Sequence, residues 1–344
     1  MKYQFCIRFE NTTVNSAASK AVIDCNHILS SHGYQDYTLT VWDNGKKIPY
    51  YRKLFKALFK FYRIVRPGSL IAVQYPLLSI NNVFHHFIRL AHLKSAKVFC
   101  IVHDLESLRN GGNDQRLIDR EISNLNNFDE VIVHNELMLG WLRKNGFRKK
   151  AVSLGVFDYL AGDANNRSQP GFNAIAFAGN LNKSTFIYKV GAIKGWEFNF
   201  YGPNFRQEHK AIINARWLGE FNPEEIVNRL EGSFGLIWDG ESIDSCDEQL
   251  GNYLKYNNPH KFSLYLAAGL PVIAPGNSAI GFLIRKLKLG IFIDNLTELS
   301  KLTISDEEYG QMKANVLAIR EQVISGHFLS SALASVETEI HQKG

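Results

Sequence analysis

The chain of 344 residues lacks the marks of secreted, zinc-binding and membrane-spanning proteins. Its four cysteines lie far apart, without a C-x-x-C pair or a Cys/His ligand spacing, so neither a disulfide framework nor a zinc site is indicated. The N-terminus has no signal-peptide core, and no apolar run reaches the ~18 residues of a membrane-spanning helix. We therefore expect a cytoplasmic protein that does not cross a membrane by itself.

Glycine-rich cofactor motifs and nucleic-acid motifs are missing as well. No G-x-G-x-x-G follows a predicted strand, which argues against a dinucleotide oxidoreductase and against an enzyme like the nucleotide-sugar epimerases. The net charge is +6 and the isoelectric point is near 9.0. Even so, no recognition motif or arginine-rich aromatic platform favours nucleic acid as a partner.

The composition that is present, 45% hydrophobic and 21% charged residues, is typical of a soluble protein. The chain is longer than one core usually supports, which predicts two domains. The polar segment 161–171 has the character of a linker, so we place a first domain at 1–160 and a second at 171–326. A last helix at about 327–344 can pack back on the first domain.

Strand and helix patterns alternate in both halves of the chain. In the first half, strands are predicted at 3–9, 37–42, 69–75, 97–102 and 130–134, and helices at 16–30, 51–65, 82–93, 114–124 and 136–144. The second half begins with the strand "NAIAFAGN" and continues through "WEFNFYGP", "ARWLGEF", "SFGLIWDG", "LPVIA" and "IFI". This alternation predicts an α/β fold with two doubly wound parallel sheets.

The stretch 257–277, "NNPHKFSLYLAAGLPVIAPGN", places a lysine at the start of a buried helix. Asn258 is a suitable N-cap, Pro259 suits the first helical position, and Gly269 is a typical stop. Lys261 then lies in the first turn, where the helix dipole favours an anion. Either an anion binds beside Lys261, or the lysine extends from a solvated first turn.

A second lysine follows another predicted strand. Gly179, Asn180 and Lys183 come directly after "NAIAFA", where glycine allows close backbone approach and the lysine can meet a phosphate. The alternative is a turn with a solvated lysine. Ligands of open parallel sheets bind beyond the carboxyl ends of the strands, so two lysines there, with a helix N-terminus, favour a diphosphate.

These segments together resemble a known family. "FAGNLNK", "FGLIWD" and "NNPHKFSLYLAAGLPVIAPGN" are similar to bacterial GT-B glycosyltransferases that use nucleotide sugars, most closely the glucosyltransferase 3 and galactofuranosyltransferase group. "IVHDLESL" resembles that group's His-Asp loop, and "ENTTVNSAASK" its first, acceptor-side loop. The resemblance implies two Rossmann-like doubly wound domains facing a cleft. The chain departs from many retaining GT-B enzymes because their pair of glutamates, with seven residues between them, is not found before "AAG".

The resemblance also implies roles for particular residues. Lys261 and Lys183 hold the donor diphosphate, with Gly179 and Asn180 near it. The other donor-binding residues it implies are Tyr256, Asn258 and His260, close to the nucleotide or sugar, and Asn277, Ser278 and Ala279, which open the next helix.

The acceptor side carries two expectations. The catalytic base of an inverting reaction is expected to be Asp104, with His103 as second choice; alternatively Asp104 caps the next segment and His103 packs under the loop. The small polar residues that either bind sugar hydroxyls of the acceptor or cap the following helix are Asn11, Thr12, Thr13 and Asn15.

The implied activity is transfer of a hexosyl group, which is glucose, galactose or galactofuranose, from a UDP-sugar. The acceptor is a glycan, glycolipid or glycoprotein, as in polysaccharide biosynthesis. Because two lysines and a helix end can neutralise the leaving diphosphate, we expect no metal and no cofactor. The alternative is a non-catalytic GT-B-like subunit that binds a glycan or a protein.

The predicted helix at 51–65 bears on partners. Its basic residues Arg52, Lys56, Lys60 and Arg63 recur at i, i+4, i+8 and i+11. A second face carries Leu54, Leu58, Phe61 and Val65. Such a helix either lies on an anionic membrane surface as part of a peripheral enzyme or covers the sheet with a solvated basic face.

Overall fold

The computed structural model of the protein describes residues 1–9, 17–41, 47–77, 80–162, 173–206 and 212–341. The chain divides into two compact units. The first unit contains 1–14, 22–154 and 329–344, and the second contains 15–21 and 155–328. Within the described ranges, no helix is long and apolar enough to cross a bilayer.

The first unit is built on a six-stranded parallel sheet in the order β2-β1-β3-β4-β5-β6. Its strands are β1 Lys2–Phe9, β2 Tyr34–Val41, β3 Leu70–Tyr75, β4 Lys97–Val102, β5 Glu130–Val133 and β6 Lys150–Ser153. Its helices are α1 Ala17–Ser31, α2 Lys47–Ile64, α3 His85–His92, α4 Glu106–Arg109, α5 Gln115–Leu125 and α6 Glu136–Lys144. Strands β3, β4 and β5 are apolar and almost wholly buried, as expected for strands covered on both faces.

The second unit repeats this architecture in the order β12-β11-β10-β7-β8-β9, again all parallel. Its strands are β7 Ala174–Ala178, β8 Glu197–Tyr201, β9 Ala215–Gly219, β10 Phe234–Leu236, β11 Val272–Pro275 and β12 Gly290–Ile293. Its helices are α7 Pro223–Ile226, α8 Gln249–Tyr253, α9 His260–Ala267, α10 Gly281–Leu287 and α11 Asp306–Ser325, and α12 His327–His341 follows. The prediction of an α/β protein with two doubly wound, Rossmann-like sheets is confirmed.

The last helix makes polar contacts inside the first unit. Glu337 of α12 accepts hydrogen bonds from the Lys2 ammonium at 2.7 Å and from the Tyr34 hydroxyl at 2.9 Å. The nearby carboxylate and the burial of the ring both raise the pKa of Tyr34, burial more strongly. These bonds connect α12 to β1 and β2.

Two predicted helix starts are wrong. The N-cap of α9 is Pro259, not Asn258, whose buried amide instead donates to the carbonyl of Gly155 at 2.6 Å. The next helix, α10, does not open at Asn277, Ser278 and Ala279 but at Gly281, after Ile280, and the Ser278 hydroxyl donates to the carbonyl of Pro275 at 2.8 Å. In both cases a tertiary or turn hydrogen bond replaces the local cap that the sequence favours.

Candidate functional site

A cavity of about 650 Å³ lies at the carboxyl ends of the strands in the second unit. The order of this sheet reverses between β7 and β10, the kind of switch point at which open parallel sheets bind ligands. The segments after β7, β8 and β9 line the cavity together with the start of α9. Its volume lies within the range of small-molecule sites.

Five of the ten predicted donor-binding residues line this cavity. They are Gly179, Asn180, Lys183, His260 and Lys261. The two lysines come from segments about eighty residues apart, and the parallel alignment of the strands brings them to one edge of the sheet. The predicted residues that do not line the cavity are Tyr256, Asn258, Asn277, Ser278 and Ala279.

The base of the cavity is formed by two chain segments in close backbone contact. The amide of Gly179 donates to the carbonyl of Tyr201 at 3.0 Å. Gly202 has φ +128°, and a Cβ at that position would lie 2.0 Å from the carbonyl oxygen of Gly179. Only glycine therefore fits at 202, and the backbone itself can approach a ligand here.

Asn180 holds the turn that carries Lys183. Its side-chain oxygen accepts from the amide of Asn182 at 3.1 Å and from the side-chain amide of Asn204 at 3.1 Å. The bond from the Asn182 amide caps the short 3-10 helix Leu181–Lys183. The Lys183 side chain is exposed, so its ammonium is accessible to an anionic ligand.

Lys261 already has a carboxylate partner. Its ammonium donates to Asp239 at 2.7 Å and to the carbonyl of Trp238 at 3.2 Å, and it lies 4.8 Å from the ring centroid of Phe177. The side chain of Lys261 is 14% exposed and that of Asp239 is 23% exposed. The local pattern identified an unbalanced charge but missed Asp239, which follows β10 and is brought to α9 only by the fold.

Aromatic and acidic side chains complete the cavity wall. The His260 ring lies 5.1 Å from the ring of Tyr159, whose hydroxyl donates to the carbonyl of Pro223 at 2.6 Å. Glu220 and Phe221 follow β9 in the same wall. Other lining residues that the sequence analysis missed are Asn222, Glu225 and Ile226. These residues match no motif. Only their position after a parallel strand could have indicated that they belong to the site.

In the first unit, His103 and Asp104 follow β4 as predicted. The Nε2–H of His103 donates to Oε1 of Gln74 at 2.6 Å, and burial lowers the pKa of His103 to about 4. The imidazole is therefore neutral at pH 7. His134 is buried, and its pKa is lowered to about 3 by this burial and by the charge of His103.

Asp104 forms an ion pair and does not cap the next helix. Its Oδ2 accepts from Nη1 of Arg109 at 3.0 Å, and a third of its side chain is exposed. Helix α4 has Leu105 as its N-cap, without a side-chain cap bond. The carboxylate of Glu121 binds the start of α4 instead, because it accepts hydrogen bonds from the amides of Glu106 at 2.9 Å and Ser107 at 3.0 Å.

The predicted acceptor loop lies outside the described residues. The residues concerned are Asn11, Thr12, Thr13 and Asn15.

Two domain models of one protein family together match almost the whole chain. The model of the glucosyltransferase 3-like N-terminal domain matches residues 4–156, and that of the C-terminal domain matches 175–336. The beta-1,6-galactofuranosyltransferase WbbI of Escherichia coli K12 is 31% identical over 269 residues, covering 76% of each chain. Glucosyltransferase 3 of Streptococcus gordonii is 27% identical over 278 residues, covering 79% of this chain and 80% of that protein.

A solved structure shares the architecture without close sequence similarity. The E. coli trehalose-6-phosphate structure bound with UDP-2-fluoro glucose superposes with a TM-score of 0.60, at 8% identity, covering 97% of this chain and 98% of that chain. At that identity the likeness concerns the fold alone. The predicted GT-B class is confirmed, as is the predicted resemblance.

Proposed function

Because the chain belongs to the glucosyltransferase 3-like family and is a glycosyltransferase, we propose that its donor is a UDP-linked hexose bound in the cavity of the second unit. The observation that carries this proposal is the convergence of Lys183, Lys261 and the start of α9 on one cavity at the switch point between β7 and β10. Glucose, galactose and galactofuranose are the sugars we consider. The acceptor is a glycan, glycolipid or glycoprotein, and the reaction takes place in the cytoplasm.

The donor diphosphate interacts with the two lysines. Lys183 reaches it from an exposed turn, and Lys261 reaches it by exchanging part of its bond with Asp239 for a phosphate oxygen. The first-turn amides of α9 add partial positive charge on the same side. This positive charge becomes more useful as the leaving UDP gains negative charge, so we propose that no metal ion is required.

The nucleoside part fits the aromatic and acidic wall. Phe221 offers a ring face for a base, and the carboxylates of Glu220 and Glu225 can accept hydrogen bonds from ribose hydroxyls. The sugar then points toward His260 at the beginning of α9.

We propose an inverting transfer in which Asp104 is the base. The acceptor oxygen attacks the anomeric carbon, its proton passes to the carboxylate of Asp104, and the bond to UDP breaks. His103 is the second candidate, because its Nε2–H donates to Oε1 of Gln74 at 2.6 Å and this nitrogen is therefore not available to take a proton from the acceptor. Arg109 donates to Oδ2 of Asp104 at 3.0 Å and so positions the carboxylate in the absence of acceptor.

The test is calorimetric titration with UDP, other nucleoside diphosphates and a panel of nucleotide sugars. The proposal expects UDP and one or more UDP-hexoses to bind in the presence of a chelator. Binding of a different nucleotide in place of UDP would overturn the donor assignment. A loss of activity on chelation, restored by a divalent ion, would overturn metal independence, and proton NMR of the product would test inversion.

A further inference from the structure

The positive charge of the chain is concentrated in one stretch. Residues 44–103 contain eleven lysines and arginines and not one aspartate or glutamate. The whole chain has 39 basic and 33 acidic residues, so the part outside this stretch has 28 basic residues against 33 acidic ones. The stretch includes α2 and α3, which belong to the first unit and contact each other.

Helix α2 buries one face and exposes aromatic rings on another. Phe61 at 2% and Val65 at 1% exposure belong to the core, as the sequence predicts. Phe55, however, is 71% exposed, Phe59 is 57% exposed and Tyr62 is 40% exposed. The last three residues are spaced i, i+4 and i+7, so they form one stripe along the helix, separate from the buried face.

Basic side chains flank this stripe. Arg63 lies 5.9 Å from the ring centroid of Phe59, and Lys94, just after α3, lies 4.4 Å from that of Tyr62. Lys94 also donates to the carbonyl of Val65 at 2.7 Å, and Leu93 beside it is 75% exposed. We define the basic aromatic face as Arg52, Phe55, Lys56, Phe59, Lys60, Tyr62, Arg63, Leu93 and Lys94.

We propose that the basic aromatic face docks on an anionic lipid bilayer. A helix face that only meets water usually carries polar residues, whereas this face carries exposed phenylalanine at both 55 and 59. Aromatic rings are stable at the boundary between headgroups and acyl chains, and lysines and arginines pair with anionic lipid headgroups. No acidic residue within 44–103 opposes this contact. Apolar rings among cations match a bilayer better than a nucleic acid, which attracts the cations but offers the rings no apolar layer.

The consequence for the reaction is that the first unit is held at a membrane surface. If the proposed function is right, this location favours an acceptor linked to a lipid over one that is free in solution. Docking itself does not depend on the donor site, because every residue of the basic aromatic face belongs to the first unit.

The experiment is co-sedimentation of the full chain with vesicles of neutral phospholipid alone or with about a third of an anionic phospholipid. It is done at about 0.05 M and about 0.5 M salt, because charge is screened over ~10 Å at 0.1 M. Wild-type protein is expected to bind only the anionic vesicles, and less at high salt. The double variant Lys56→Glu/Lys60→Glu should lose binding by at least about 25-fold, since each basic residue near the surface contributes about fivefold.

Two further variants separate the contribution of the aromatic rings from that of the positive charge. Phe55→Ser/Phe59→Ser keeps the charge and should weaken binding at both salt concentrations, because it removes the rings that enter the interface. Arg116→Glu/Arg120→Glu is the matched control, with the same charge change at the same i, i+4 spacing on exposed positions of α5. Circular dichroism shows whether each variant is folded, and UDP titration gives an independent check of the second unit.

Several outcomes would overturn the proposal. These are wild-type protein that stays in the supernatant with anionic vesicles at low salt, equal binding to neutral vesicles, and equal loss in the α5 control. Unchanged binding by the folded phenylalanine variant would exclude insertion of the rings. Duplex DNA that displaces the protein from vesicles at equal charge concentration would identify a polyanion site in place of a lipid site.

Discussion

The two units use the same sheet architecture, but their candidate residues have different surroundings. In the second unit, the ion pair of Lys261 with Asp239 borders a cavity that a second lysine and a helix start also line. In the first unit, Asp104 is paired with Arg109 and His103 is hydrogen-bonded to Gln74. In both places the charged group expected to meet a substrate already has a partner of its own chain. A residue poised for a ligand can thus be held by a local partner until the ligand arrives.

Asp104→Asn is expected to give the largest effect, because the amide keeps the shape of the side chain but cannot take a proton. Transfer should fall roughly 10² to 10⁴-fold, with UDP affinity little changed. Initial rates and UDP titration measure the two quantities. Asp119→Asn, which changes an exposed carboxylate on α5, should retain wild-type activity. Near-normal turnover of the Asp104 variant, or retention of configuration, would move the role of the base elsewhere.

We expect the lowered pKa values of His103 and His134 to make the first unit acid-sensitive. The pKa of His103 is lowered to about 4 by burial, whereas the unfolded chain takes up this proton near pH 6.5. The unfolded state therefore binds more protons between these values, and the free energy of unfolding should fall as the pH decreases from about 6.5 toward 4. The contribution of His103 is on the order of 2 kcal/mol. Urea unfolding at pH 7 and pH 5 should show a smaller pH dependence for His103→Gln; an equal dependence would contradict this assignment.

Asp239→Asn tests the partner exchange proposed for Lys261. The substitution removes a carboxylate that competes with the diphosphate, so UDP should bind more tightly by about fivefold, or ~1 kcal/mol. Asp247→Asn is the matched control, because Asp247 also pairs with a lysine of the second unit but does not line the cavity. Weaker UDP binding in the Asp239 variant would mean that the carboxylate positions Lys261 and does not compete for it.

Lys183→Ala is expected to change UDP affinity as little as Asp239→Asn, in the opposite direction. Its ammonium is exposed, so water and salt screen its attraction to the diphosphate, and the loss of UDP affinity should be about fivefold. The loss should shrink as salt is added. Lys189→Ala, a lysine near the same turn but outside the cavity lining, should leave UDP affinity unchanged. A loss larger than that of Lys261→Ala would make Lys183 the principal diphosphate ligand.

Much of the fold follows from local patterns. The strand predicted at 97–102 and the helix predicted at 136–144 agree with β4 and α6 at both ends. Strand β6, Lys150–Ser153, was missed because it is short and only partly buried, so its residues carry no clear apolar pattern. Helix α4 was also missed, since its start is stabilised by Glu121, which is distant in sequence.

Residues of the candidate site could be predicted from the sequence only where they directly follow a recognisable strand or open a recognisable helix. Gly179, Asn180 and Lys183 follow a strand that is recognisable from its apolar run, and Lys261 opens a helix with clear ends. Tyr159 could not be found in this way, because its place in the cavity depends on packing between segments about a hundred residues apart. Asp239 and the wall after β9 have the same tertiary origin.

The most direct test of the account is UDP calorimetry on Lys261→Ala beside Lys255→Ala. Both lysines pair with an aspartate in the second unit, but only Lys261 lines the cavity. We expect Lys261→Ala to weaken UDP binding by ~1.5 to 3 kcal/mol, roughly 10- to 150-fold, and Lys255→Ala to bind like the wild type. Unchanged UDP affinity in a folded Lys261 variant, or an equal loss in both variants, would contradict it.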